Sequence, residues 1–121
     1  SWLKPVVASM LARGGDRETA RLLWTEMLKS DEGMMKVAAE VKLAQLDAME
    51  QIEALHSLIA RVTLATGRWP DSWNSLIAAG WLRDVPLDPG GAQYVMDPQT
   101  ARVTVSPESR IYPMPDQLEG Q

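Results

Sequence analysis

Apolar positions recur at three- and four-residue steps from Leu3 to Val62, then give way to short segments punctuated by Pro and Gly. Leu3, Val6, Val7, Met10 and Leu11 form one face of a first helix, with Pro5 in its opening turn and Gly14-Gly15 at its end. Asp16 can cap a second helix, with Thr19 three residues on and a buried stripe of Ala20, Leu23, Trp24, Met27 and Leu28. From Met34 a heptad-like stripe runs through Ala38, Val41, Gln45, Ala48, Ile52, Leu55, Ile59 and Val62, interrupted in character at Gln45. A continuous helix from Met34 to Thr66 would be about 50 Å long at 1.5 Å per residue. A break near Leu46–Asp47 is the competing reading, but no Gly or Pro stands there to support it.

After Thr66 the punctuation takes over. Gly67 suits the left-handed residue that ends the long helix, and Pro70 prevents its continuation. Asp71 or Ser72 then caps a short helix carrying Trp73, Leu76 and Ile77, which Gly80 closes. Gln93–Met96 and Arg102–Val105 have strand character around the turn Asp97-Pro98-Gln99-Thr100. Residues 107–121, with Pro107, Pro113 and Pro115, read as an extended tail along the surface. The fold class expected is therefore mainly α (α+β): a helix pair over 1–32, then a long helix, a short helix and a small β-hairpin over 33–106, with the hairpin packed on the later part of the long helix.

Composition narrows the function more than it changes this picture. The chain has 121 residues, 45% apolar and 23% charged, which supports a packed globular core rather than a disordered chain. Its net charge of −4, with basic residues scattered among acidic ones, argues against a nucleic-acid partner. Having no cysteine, the chain has neither disulfides nor a thiolate nucleophile or zinc ligand. No apolar run approaches the roughly 20 residues that span a bilayer. Because Ser1 is not Met and Trp2 already joins an apolar pattern, the expectation is a fragment whose signal peptide or membrane anchor, if any, lies upstream.

Ala8, Leu11, Gly15-Asp16, Ala20, Trp24 and Ser30-Asp31 stand at the spacing of a tetratricopeptide repeat, and residues 3–31 resemble one such helix pair. Lys4, Met27 and Glu32 depart from the residues usual in that repeat. Residues 47–106 are similar to the globular part of major pseudopilins of bacterial type II secretion systems. The resemblance lies in a long helix, the stop Gly67-Arg68-Trp69-Pro70, a short helix with Leu76, and the loop Pro86-Leu87-Asp88-Pro89-Gly90-Gly91 leading through Tyr94 into a hairpin. Gly91-Ala92 stand where those proteins often have Asn-Pro, and a repeat-like helix pair replaces their hydrophobic N-terminal segment. The chain also looks like bacterial envelope-associated proteins in which tetratricopeptide repeats precede the same tail.

Candidate chemistry is sparse. His56 and Glu53 make the Glu-x-x-His pairing of di-iron carboxylate bundles, but no second histidine exists, so a solvated face of Glu50, Glu53 and His56 is the simpler reading. Asp84, Asp88 and Asp97 are the residues a calcium ion could use, as the pseudopilin resemblance implies. Asp-Pro turn chemistry competes for them and explains them more simply. No serine has a positioned base, and neither a phosphate loop nor a dinucleotide fingerprint is present, so neither an enzyme nor a bound cofactor is expected. Trp24, Trp69, Trp73 and Trp81 read first as core. The alternative is that Trp2, Trp69, Trp73 and Trp81 supply exposed anchors for a protein partner.

The function these readings point to is a non-catalytic interaction and capping module of a repeat protein in a bacterial cell-envelope or periplasmic assembly. A pseudopilin-like structural subunit, calcium-stabilised or not, is the alternative. The partner expected is a protein, with any membrane contact made through an anchor outside these residues. The long helix could also pair with its own copy in a homodimer.

Overall fold

A computed structural model describes residues 16–29 and 33–119. Trp2 and the helix expected over 3–13 lie outside the described residues. The described elements are α1 (Arg17–Leu28), α2 (Gly33–Thr66), α3 (Trp73–Ala78), β1 (Val95–Met96), β2 (Val103–Thr104) and α4 (Pro115–Glu119). The fold is mainly helical with one antiparallel hairpin, as expected. The described residues divide into two compact units: those up to Asp47 together with those from Pro113 onward, and Ala48–Tyr112. The division falls inside α2, between Asp47 and Ala48.

In the first, helical unit, α1 begins where Asp16 caps it, its Oδ1 accepting from the Thr19 N–H at 3.2 Å. Ala20, Trp24 and Met27 are buried at the helical spacing, and Leu23 and Leu28 are half-buried. On α2 this unit buries Ala39, Gln45 and Leu46. Met34, at 90% exposure, and Ala38, the first two members of the expected stripe, are exposed instead of buried. Ala39 and Leu46, seven residues apart and one step along from the expected positions, are buried there alongside Gln45. Gln45 is an exception to an apolar stripe that the structure makes use of: its Nε2 donates to the Pro113 carbonyl at 3.0 Å. A surface ion pair, Arg21 to Asp47 at 2.9 Å, adds little by itself.

The extended surface tail expected over 107–121 is corrected within its described part, where four residues are buried. Ser109 and Ile111 are buried in the second unit, and Met114 and Pro115 are buried in the first. Successive turns, Ser109 N–H to Ser106 O and Tyr112 N–H to Ser109 O, let the segment coil. Pro115 then starts α4, where its missing N–H costs nothing. The Gln117 side chain accepts from the Met114 N–H at 2.8 Å, while the Gln117 N–H donates to the Met114 carbonyl.

The second, hairpin unit follows the punctuation closely. Gly67 at φ 80° ends α2, its N–H donating to the Thr63 carbonyl, and Gly80 at φ 85° closes α3. Ser72 caps α3, its Oγ accepting from the Ser75 N–H at 3.1 Å. The hairpin pairs Val95 with Thr104 and Met96 with Val103. Its turn is held by Asp97, whose Oδ1 accepts from Gln99 and Thr100 N–H groups, and it closes through Ala101 in the left-handed region at φ 60°. Ile59, Val62, Trp73, Leu76, Tyr94, Met96, Val103, Val105 and Ile111 make the core of this unit. As expected, the hairpin is tied to the later part of α2: the Val103 N–H donates to His56 Nε2 at 2.9 Å, and the Tyr94 hydroxyl to Gln51 Oε1 at 2.6 Å.

Candidate functional site

The four described tryptophans separate into two pairs. Trp24 and Trp73 are buried, whereas Trp69 is 58% and Trp81 37% exposed. Core filling is thus correct for Trp24 and Trp73 and is overturned for Trp69 and Trp81. Trp73 in turn leaves the set of surface anchors, because its indole N–H is spent on the Tyr94 carbonyl at 2.8 Å inside the core. Trp2 lies outside the described residues.

Trp69 and Trp81 line one cleft of about 400 Å³ between the end of α2 and α3, with Val62 and Leu76 among its apolar residues and Arg68 and Asp71 among its polar ones. Local punctuation produces it. Gly67 and Pro70 throw the chain off α2 so that Arg68, Trp69 and Asp71 stand in a short extended link, and Gly80 swings Trp81 back beside Leu76. That return is fastened by the Trp81 N–H to the Leu76 carbonyl at 2.9 Å. The Thr66 hydroxyl is committed to the Val62 and Arg68 carbonyls and the Ser75 hydroxyl to the Ser72 carbonyl. By contrast, neither the Trp69 nor the Trp81 indole N–H has an acceptor, and neither Arg68 nor Asp71 an ion-pair partner, among the described residues.

The three aspartates do not assemble. Asp88 is 4% exposed and serves its own loop: Oδ1 accepts from the Gly90 and Ala92 N–H groups at 2.6 and 3.3 Å. Asp97 caps the hairpin turn, and Asp84 is exposed. Among the described residues no three of His, Cys, Asp and Glu are grouped so that they could hold a metal ion. Turn chemistry is what the geometry assigns to Asp88 and Asp97.

His56 is not on a solvated face. It is half-buried, and desolvation, with the Arg102 charge as a smaller cause, holds its pKa below the ordinary value, which keeps Nε2 free to accept from Val103. Sequence reasoning missed this role because the partner lies 47 residues away. Only the excess of strand character around Val103 could have hinted that something must meet that edge.

No protein-family model, no curated protein and no solved structure matches the chain. Among the described residues no helix is long and apolar enough to cross a membrane.

Proposed function

We propose that the chain is a non-catalytic interaction and capping module of a tetratricopeptide-type repeat protein, acting in a bacterial envelope-associated assembly. One observation carries the interaction part: two partly exposed tryptophans line a single cleft beside a cation and an anion, and among the described residues neither indole N–H has an acceptor and neither charge an ion-pair partner. Exposed tryptophan is costly in water and is the residue most enriched where protein partners bind. The capping part is supported by the return of Pro113 to Gln45 and the burial of Met114, which cover apolar surface of the helical unit with the chain's own C-terminal segment.

The test is cross-linked capture from native cells by the full-length protein, wild type against Trp69→Ala and Trp81→Ala. Loss of the same captured protein in both variants is the expected result, and capture unchanged in both removes the interaction reading. A second reading, a pseudopilin-like structural subunit, rests on the order of α2, α3 and hairpin and on Leu64, 88% exposed in the last turns of α2. It requires concentration-dependent assembly that Leu64→Lys abolishes.

A further inference from the structure

The hairpin leaves one strand position open on its outer side. In an antiparallel ladder, residues that exchange both backbone bonds alternate with residues whose N–H and C=O point away from the paired strand. The Asp97 N–H to the Arg102 carbonyl at 2.9 Å fixes the phase: Val95–Thr104 is then a bonded position, and Met96–Val103 between the two faces outward. Val103 agrees with this phase, its outward N–H being spent on His56 Nε2. Met96 turns its N–H and C=O to the opposite edge, where among the described residues neither has a partner.

The chain covers that edge only as far as Tyr94. Leu87 bridges Gln93, the Asp88 N–H donates to the Ala92 carbonyl, and the Tyr94 N–H donates to the Pro86 carbonyl. The Tyr94 carbonyl also takes the Trp73 indole N–H. One step further the same ladder would set Asp84 against Met96, but among the described residues no bond joins them. A groove of about 590 Å³ opens there instead, with Trp73, Asn74, Val85, Met96 and Pro98 in its lining. Pro98, the next outward position, has no N–H to offer. The open edge is thus one residue wide, with a donor and an acceptor set for one narrow antiparallel pair.

Charge narrows the occupant. Among the described residues Asp71 is the charged member of the lining, and the charged residues next in sequence to lining residues are Asp84 and Asp97, so the margin is acidic throughout. A second copy docking edge to edge would set these carboxylates against their own counterparts, which is unfavourable. A helix has its backbone groups bonded internally and cannot pair with Met96. An extended segment can, and a basic residue on it answers the acidic margin.

We infer that the edge at Met96 takes an extended segment of a partner protein by strand addition, and that the acidic margin of Asp71, Asp84 and Asp97 selects a basic residue on that segment. Met96 and one residue of the segment exchange both backbone bonds. The site stands apart from the Trp69–Trp81 cleft, with which it shares Asp71 alone.

The test titrates the full chain, isotopically labelled, with the acetylated peptide Thr-Val-Lys-Val-Thr up to millimolar concentration. The expected result is a shift of the Met96 backbone amide resonance and slower exchange of that amide with solvent. The same peptide with its three central amides methylated binds about tenfold more weakly or worse, because it has no donor for the Met96 carbonyl. Glutamate in place of lysine weakens binding about threefold or more, and Asp71→Asn with Asp84→Asn, both at exposed positions, removes that difference. Trp69→Ala leaves the titration unchanged, which tells failure of the tryptophan cleft from failure of this edge. A Met96 amide that the lysine peptide does not move, or a methylated peptide that binds equally well, overturns strand addition. Equal binding of the glutamate peptide overturns the choice of a basic residue. A Met96 shift that follows chain concentration without peptide assigns the edge to a second copy and overturns the partner segment.

Discussion

The helical unit and the hairpin unit both bury an apolar core, but the hairpin unit fastens its core with more directed hydrogen bonds. Among the described residues, beside the helical unit's Gln45 to the Pro113 carbonyl stand three in the hairpin unit. In the first, buried positions are nearly all apolar and follow the helical period: Ala20, Trp24 and Met27 on α1, Ala39 and Leu46 on α2. In the second, side chains reach across long sequence separations to satisfy particular polar groups: Trp73 to the Tyr94 carbonyl, Tyr94 to Gln51, His56 to the Val103 N–H. Apolar burial is non-directional and tolerates substitution of similar volume, whereas a buried hydrogen bond specifies one geometry and penalises its loss. The hairpin unit is accordingly the part of the chain built to hold a shaped surface, and the Trp69–Trp81 cleft lies there.

Removing volume from the helical unit should produce the largest effect. Trp24→Ala is expected to cost about 3–5 kcal/mol, because a nearly inaccessible indole leaves a cavity its neighbours only partly fill. Urea denaturation measures the loss, and a cost below about 1 kcal/mol would mean that Trp24 is not a core residue. Trp73→Phe, which keeps most of the ring and deletes the N–H, should cost about 1 kcal/mol by removing the buried hydrogen bond to the Tyr94 carbonyl. If Trp73→Phe is neutral, the claim that directed hydrogen bonds add to the hairpin unit's apolar core fails.

What the sequence made legible follows the same division. Helix starts and stops could be read locally, since Asp16, Gly67, Ser72 and Gly80 each act on backbone groups within four residues. The long helix and the hairpin turn were readable for the same reason. The role of His56 was not: a polar residue on a helix face looks solvated until a distant strand supplies an N–H. Ile111 and Met114 were hidden in a Pro-rich stretch without period, where burial depends on tertiary fit alone. Composition counted the tryptophans but could not sort the spent indole of Trp73 from the open ones of Trp69 and Trp81.

His56 sharpens the comparison through pH. Its folded pKa lies below its ordinary value of 6.5, chiefly from desolvation and secondarily from Arg102, so the unfolded chain binds the proton more tightly. The stabilisation is therefore fully present above about pH 6.5 and is lost as the pH falls from there through the lowered folded value. Protonation also turns Nε2 from acceptor to donor and breaks its bond with Val103. His56→Ala should cost about 1 kcal/mol at neutral pH and flatten the dependence between pH 7 and pH 5. A variant whose acid profile matches the wild type removes His56 from the account.

The smallest stability effect belongs to the residue on which the proposed function most depends. Trp69→Ala removes a side chain 58% exposed whose indole N–H has no acceptor among the described residues, so the unfolding free energy should change by no more than about 0.5 kcal/mol. A large aromatic that the fold does not need is kept at the expense of exposing apolar surface to water, and binding is the use that such exposure serves. Should Trp69→Ala instead destabilise the chain by 2 kcal/mol or more, on the scale of a buried residue, Trp69 would be structural after all, and the cleft would lose the wall on which its reading as a binding site rests.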